Sequence, residues 1–568
     1  FAATTGNAPI DAIQEFRTVS TNPGASEGRS SGGQIELITK SGTNEFHGSL
    51  REFNRTALTA ANTFFNNRNG IRRPQLTRNQ FGGSIGGPIY FPRFGEGGDS
   101  LYSGKDKLFF FYDFEGRRDA QGITLTRTVP LQHVREGGLG FLNDTAGCAL
   151  TARLNTAPQC ITILTPAQIA QLDPQGIGVN QALLNFINQR YPLPNDLTGG
   201  NGINTGLFRF NAPIRRNDKN HTGRIDWNIT DRQRMFGRIS KLANLQTDFF
   251  NAGATPAQFP GDPETSQVLL GDWAFVIGHN WVPTSNVVNQ ATVGMSKSAA
   301  SFPNNFHPTS PNFYSSFGGL ITAPFTSYAT QSREVPVPHF RDDLTWTKGA
   351  HTMSFGGSFK PISQRGNLTR DFNYITVGLG GNFSTSLGTS AASSRPSNIR
   401  RNSATAANNY DATLAFLLGV IPSITTVINL DAAGNQLPLA TGSNRDWRYN
   451  EYEFYASDTW RARSDLTITG GVRWHLYPAP YEAEGRQSQV SNVDFETLFN
   501  QRIANGLAGI AGPTSEPFLT YILGGKANNA PPLYKTDYNN FGPRLSFAWN
   551  PSFKDGIMGG VFGDRKTV

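Results

Sequence analysis

The sequence has no apolar run approaching the roughly 18 to 20 residues that a membrane helix needs. The longest candidate, Ala412 to Ile421, ends at Pro422, so spanning helices are excluded. Charge is scarce too: only 16% of the 568 residues are charged, and the net +8 is spread thinly. A nucleic-acid binder would gather its cations into one stripe, so no nucleic-acid partner is expected. Cysteine occurs twice, as Cys148 and Cys160, and neither has the CxxC partner of a thiolate metal site. Catalytic signatures are also missing. There is no H-E-x-x-H, no GxxxxGK loop and no GxGxxG between strand and helix. Gly24-Ala25-Ser26-Glu27-Gly28 fits G-x-S-x-G by letter, but it leads into a short strand where a nucleophile elbow needs a helix. The chain is expected to be no enzyme, with no cofactor and no metal site.

What the sequence does contain is turn formers and rings, with 61 Gly, 34 Pro and 11% aromatic residues. That composition is of β type. From Leu466 the order LTITGGVRWHLY puts Leu466, Ile468, Val472, Trp474 and Leu476 on one face and Thr467, Thr469, Arg473 and His475 on the other. The same period of two runs through His221 to Ile229, Thr352 to Lys360 and Phe541 to Trp549. These runs of about nine to twelve residues match a tilted membrane strand and exceed the usual soluble strand.

Connections between the strands alternate in length. Short turns near Thr230 to Gln233, Pro283 to Asn286, Lys348 to His351, Arg461 to Asp465 and Asn550 to Gly556 are separated by long segments. Outer-membrane barrels sort their connections this way, with short periplasmic turns and long external loops. Trp227, Trp281, Trp346, Trp460 and Trp549 each fall beside one of those turns. They are read as an aromatic girdle, each indole lying in the hydrocarbon margin with its N–H reaching water.

The expected fold is all-β: a partial antiparallel transmembrane β-barrel of about 12 or 13 strands, the last broken by the chain end, behind the C-terminal tail of a plug domain. Residues 1–45 form that tail, with Gln34 to Thr39 as a short strand, and 46–568 form the barrel portion. External loops are expected at about 56–78, 118–218, 243–266, 299–336, 363–443 and 478–536, with Gly122 to Val129 in the second loop or in a hairpin standing above the membrane. Parity assigns Arg224, Asp226, Arg234, Arg238, Glu451, Glu453, Arg473, His475 and Arg544 to the lumen face. Cys148 and Cys160 share the 118–218 loop, where an external disulfide would stiffen it by about 2 to 3 kcal/mol, with two free thiols as the alternative.

The segment SGGQIELITKSGTNEFHGS, Ser31 to Ser49, resembles the plug–barrel junction of TonB-dependent outer-membrane receptors, particularly the Oar-like group with its carboxypeptidase-regulatory-like domain. FGGSIGGPI from Phe81, KDKLFFFYDFEGRR from Lys105, RIDWNITDRQRMFGRIS from Arg224, YASDTWRARSDLTITGGVRW from Tyr455 and NNFGPRLSFAWNP from Asn539 are similar to successive blocks of that family. The resemblance implies a barrel of about 22 strands closed by a plug. It also implies a fragment: the TonB box and the rest of the plug would precede Phe1, and further strands would follow Val568. The implied function is TonB-dependent transport of an unidentified ligand across the outer membrane of a Gram-negative bacterium. Implied partners are outer-membrane lipid, TonB–ExbB–ExbD acting through the N-terminal region, and a ligand caught by the external loops. The alternative is an Oar-like surface protein for adhesion or export.

Overall fold

The computed structural model describes residues 9–19, 24–28, 33–68, 70, 72–92, 101–173, 176–246, 257–264, 267–304, 312–325, 329–370, 373–378, 395–400, 404–431, 433–439, 441–510, 519–553 and 555–563. Two short strands come first, β1 (Ile13–Val19) and β2 (Gln34–Thr39), paired as an antiparallel hairpin. The turn cluster expected before β2 lies partly outside the described residues, at 30–32.

Twelve long strands then form one antiparallel meander: β3 (His47–Thr56), β4 (Leu76–Pro88), β5 (Leu108–Pro130), β6 (Thr205–Thr230), β7 (Gln233–Gln246), β8 (Trp273–Thr284), β9 (Val287–Phe302), β10 (Thr330–Lys348), β11 (His351–Thr369), β12 (Ser443–Arg463), β13 (Leu466–Leu476) and β14 (Phe541–Trp549). Each pairs with its neighbours in sequence, and β3 and β14 are the two edges. A broken thirteenth strand was expected after Asn550; the described residues there form the helix Gly556–Phe562 instead. Strands also overrun the expected loop limits. β5 continues past Arg118 to Pro130, paired with β6 as far as Thr205, so Gly122 to Val129 belongs to a tall hairpin. The period-two pattern of ITLTRTV simply continues the ladder.

Directly opposed residues share a face of a sheet. The register pairs Trp227 with Leu108, Val293 with Phe340, Leu344 with Phe355 and Phe454 with Trp474 on one face. Thr222 with Asp113, Ser358 with Glu453 and Tyr455 with Arg473 occupy the other. Burial on the two faces is the reverse of a water-soluble sheet. Ile225, Val293 and Phe355 are 42–50% exposed, whereas Asp113, Glu451, Glu453 and Arg473 are at most 5% exposed. A wall that exposes its rings and aliphatics and covers its charges is built for a solvent other than water.

From Trp227 to Lys219 the outer face carries no Lys or Arg for eight residues, and from Trp346 to Glu334 none for twelve. At ~3.3 Å per residue and a tilt of ~40°, the band is about 20 to 30 Å tall, the height of an outer-membrane apolar belt. Its acids lie toward the short-turn end and are partnered: Asp342 accepts from Asn289 (2.9 Å), and Asp458 lies 2.7 Å from His351.

The long connections are not separate loops. Four of them contribute to one hydrophobic cluster: Val134, Leu139, Leu183 and Ile187 come from β5–β6, Phe259 from β7–β8, Phe317 and Ile321 from β9–β10, and Tyr410, Leu414, Phe416 and Leu417 from β11–β12. Local signals set its helices. α1 (Pro166–Leu172) opens with Pro at its start and a capping box between Thr165 and Gln168, and the Asn180 side chain caps α2 (Gln181–Arg190). α3 (Ala404–Leu417) ends where Gly419 adopts φ +70°, a conformation glycine reaches without strain. This helix holds most of the longest apolar run, which therefore fills a core. Cys148 and Cys160 are joined in a disulfide inside a satellite cluster with Leu142, Ile161 and Ile203.

Arg190 knits the cap together. Its guanidinium pairs with both oxygens of Asp262 (2.7 and 2.6 Å), donates to the Pro324 carbonyl, and lies over the rings of Phe259 and Phe325. The Asn180 amide donates to Leu417 (2.8 Å) and the Arg400 amide to Leu142 (2.9 Å). Phe416 is fully buried, edge-on to Phe317 at 5.3 Å. Phe416→Ala is expected to cost about 3–5 kcal/mol of cap stability. Hydrogen exchange checks this: amides of α2 and α3 should exchange faster while those of β10 and β11 hold, and unchanged α2 exchange would mean the loops share no core.

Candidate functional site

The inner face of the sheet forms a polar wall, and residues 9–19, 24–28 and 33–40 lie against it. Strand alternation supplies the side chains: an Arg and an Asp two residues apart share one face and pair along the strand. Arg224 and Asp226 on β6 do so at 2.7 Å, Arg341 and Asp343 on β10 at 2.5 Å, Arg216 and Asp218 on β6 at 2.6 Å, and Arg117 and Asp119 on β5 at 2.7 Å. Arg473 instead pairs across strands with Glu453, which also accepts from the Tyr477 hydroxyl (2.7 Å) and the Ser358 hydroxyl (3.2 Å). Tyr455 donates to Asp343 at 2.7 Å, linking the two groups of charges.

Several of these cations hold the inner segment, mostly through main-chain oxygens. Arg473 Nη1 donates to the carbonyls of Ala25 (3.1 Å) and Ser26 (3.2 Å), and Arg341 Nη2 to Ser26 (3.4 Å). Arg544 donates to the Gly24 carbonyl. Arg224 Nη1 donates to the Thr39 carbonyl (2.9 Å) and hydroxyl (3.2 Å). At the other edge of the sheet, Arg51 pairs with Asp113 (3.0 Å) and with Asp11 (2.9 Å) of the inner segment. The G-x-S-x-G letters thus lie in a turn whose backbone carbonyls are gripped from the wall.

Most residues assigned to the lumen by parity meet in this network. Glu451 is buried 3.8 Å from Lys360, and His475 lies 2.8 Å from the Tyr477 hydroxyl and 3.7 Å from Glu453. Arg238 lines a cavity of ≈ 250 Å³ with Ile35, Leu37 and Thr39 of the inner segment. Arg234 differs: it is exposed, opposite Asn228 beside the short turn. Arg51, Asp113, Arg341, Asp343 and Tyr455 join the network without being among the residues expected from the sequence. The Arg-x-Asp spacing on β5, β6 and β10 is the signal for Arg341 and Asp343; Arg224 and Asp226 follow from strand parity alone.

Trp227, Trp281, Trp346, Trp460 and Trp549 all lie on the outer face at the short-turn end, opposite Met235, Gln233, Val287, His351 and Leu466 respectively. None is buried, and the first, second and fourth are more than 40% exposed.

Tyr191 and His133 are among the cap groups with displaced proton equilibria. Burial pushes the Tyr191 phenol well above its usual range, and its hydroxyl donates to the Thr322 carbonyl. Burial lowers the His133 pKa against a smaller opposing hydrogen bond to Asn204 (3.1 Å). A histidine with a lowered folded-state pKa binds fewer protons folded than unfolded, so its contribution is intact above about pH 6.5 and is lost as pH falls below that value. Cap opening, followed by hydrogen exchange at Leu139–Leu142, is expected to become easier below pH 6.5. His133→Gln should flatten that dependence; an equally steep dependence in the variant would assign it elsewhere.

Strands with rings outside, charges inside and an anchored inner segment define a membrane wall built of β-structure. The chain belongs to the outer membrane beta barrel domain family, whose model matches residues 38–563. It is an outer-membrane protein of a Gram-negative bacterium. No curated protein sequence matches it. Similar solved structures include the outer membrane transporter YddB of Escherichia coli, at 10% identity and TM-score 0.40, covering 83% of this chain and 44% of that one. The ferric enterobactin receptor PfeA of Pseudomonas aeruginosa gives 11% and 0.38, covering 85% and 46%. The siderophore receptor PirA of Acinetobacter baumannii gives 12% and 0.38, again covering 85% and 46%. The chain thus spans less than half the length of these structures.

Proposed function

We propose that the chain is part of a TonB-dependent importer, with residues 1–45 as the end of its plug and 46–568 as the N-terminal portion of its barrel wall together with the external cap. The observation that carries this reading is the grip on Asp11, Gly24, Ala25, Ser26 and Thr39 by Arg51, Arg224, Arg341, Arg473 and Arg544, drawn from β3 to β14. Contacts to backbone carbonyls can release and re-form whatever side chains pass, which suits a segment that must shift when pulled. The cap captures the ligand, the polar wall guides it, and the Trp row marks the periplasmic margin. TonB–ExbB–ExbD would supply the force through a region N-terminal to this chain. No covalent chemistry is needed.

Uptake by the complete protein in cells with and without TonB tests this, using a panel of siderophores, cobalamin, oligosaccharides and peptides. Accumulation of one panel member only with TonB is expected. Equal accumulation without TonB would reject the mechanism.

A further inference from the structure

Wall arginines that serve the inner segment keep acids beside them: Arg224 has Asp226, Arg341 has Asp343 and Arg473 has Glu453. Arg238 does not. It sits on β7 directly opposite Arg224, so the residue facing it across the ladder is a second cation whose own acid is already engaged. Ser240, opposite Thr222, shares this face, and so does Asn220, two residues along β6 from Thr222. All four line the cavity of ≈ 250 Å³ that Ile35 and Leu37 of β2 close from the other side. Among the described residues, no hydrogen bond or ion pair reaches any of these four side chains, and the Asn220 Oδ1 is buried without a partner. Thr222 is 2% exposed. The acid on that lining, Asp272, accepts from the Ala299 amide (2.9 Å). Its carbonyl receives the Leu242 amide, four residues beyond Arg238 and so ~13 Å along the strand at ~3.3 Å per residue.

We infer that this cavity is a binding site for a small monocarboxylate. Buried polar groups are ordinarily bonded, and four neighbours left open around one space mark a place for a guest. One guanidinium without an acid supplies a single positive charge, which suits a monoanion. A phosphate dianion would need a second open cation, and Arg224 is paired with Asp226. The planar fork of Arg238 meets both oxygens of a carboxylate at once, with the Thr222 and Ser240 hydroxyls and the Asn220 amide around it as further donors. Ile35 and Leu37 close the opposite side, so the bound acid carries a short apolar tail. Its head then touches the wall and its tail touches β2, which couples binding to the seating of the inner segment. The inference uses the contact between β2 and the wall and does not need the transport reading.

The test titrates the complete protein in phosphatidylcholine nanodiscs with butyrate by calorimetry, with chloride and inorganic phosphate as comparison anions. Saturable butyrate binding is expected, tighter than that of either comparison anion. Arg238→Gln should weaken it by about 10- to 100-fold and Thr222→Val by about fivefold. Arg234→Gln, beside the short turn of the same strand, should leave it unchanged. Butyrate should also slow amide hydrogen exchange across Gln34–Thr39 in the parent protein and not in Arg238→Gln. If Arg238→Gln does not fold, Thr222→Val with Ser240→Ala should still weaken binding about 25-fold. Absence of saturable binding would leave the cavity to water and overturn the inference. Equal binding by folded variants, or phosphate held as tightly as butyrate, would overturn it too, as would butyrate binding without slower exchange in β2, which would place the butyrate elsewhere.

Discussion

Val293→Arg is expected to destabilise the protein in a bilayer by about 2–4 kcal/mol, the cost of a cation near the middle of a barrel's lipid face. Val293 is 43% exposed and opposite Phe340, in the middle of β9. In a water-soluble sheet an exposed valine replaced by arginine changes stability by no more than about 0.5 kcal/mol. The two solvents therefore predict different numbers for one substitution. Urea unfolding in lipid vesicles reads the difference, with Thr345→Arg on the inner face of β10 as the comparison. That variant should cost much less, because its side chain enters a hydrated wall. Equal costs at both positions would remove the distinction between faces.

The second large effect is expected at Arg473. Removing it as Arg473→Ala leaves Glu453, itself 4% exposed, without its cation, and withdraws two hydrogen bonds from the inner segment. Breaking a buried pair from one side costs about 3–5 kcal/mol. Replacing both partners by apolar residues of similar volume should restore much of that, since the desolvation cost of the charges goes with them. Thermal unfolding of Arg473→Ala and of Arg473→Met with Glu453→Leu separates the cases. Proteolysis near residues 24–28 adds a second readout. Both variants should make that turn more accessible, because Ala25 loses its donor and Ser26 keeps only Arg341. Protection of the turn in both would show that Arg473 does not anchor it.

Much of the wall was legible because strand alternation is a local signal. Leu466 to Leu476 shows its two faces in sequence, and the register confirms them residue by residue. The shared inner face of Arg224, Asp226, Glu453 and Arg473 was legible for the same reason. What parity could not give was partnership. That Arg473 reaches Ala25 and Arg224 reaches Thr39 depends on contacts across 448 and 185 residues of sequence, beyond any local pattern.

The cap was the largest miss. Its segments read as loops because each alone carries too few apolar residues for a core; only Leu183, Phe259, Phe317 and Phe416 together make one. The run from Ala412 is too short for a membrane span and instead ends α3 with Leu414, Phe416 and Leu417 in the shared core. Strand ends were misjudged toward this side, at Arg118 above all, because turn residues such as Gly122 interrupt a ladder that the partner strand still completes.

Alternating solvent along a single strand is the most direct check on the account. Spin labels placed singly at His339, Phe340, Leu344 and Thr345 of β10 in lipid vesicles should divide by face. Labels at Phe340 and Leu344 should relax with oxygen and be shielded from a water-soluble nickel chelate, while those at His339 and Thr345 should show the reverse. Chelate access to all four positions, or to none, would contradict a wall that meets lipid on one side and water on the other.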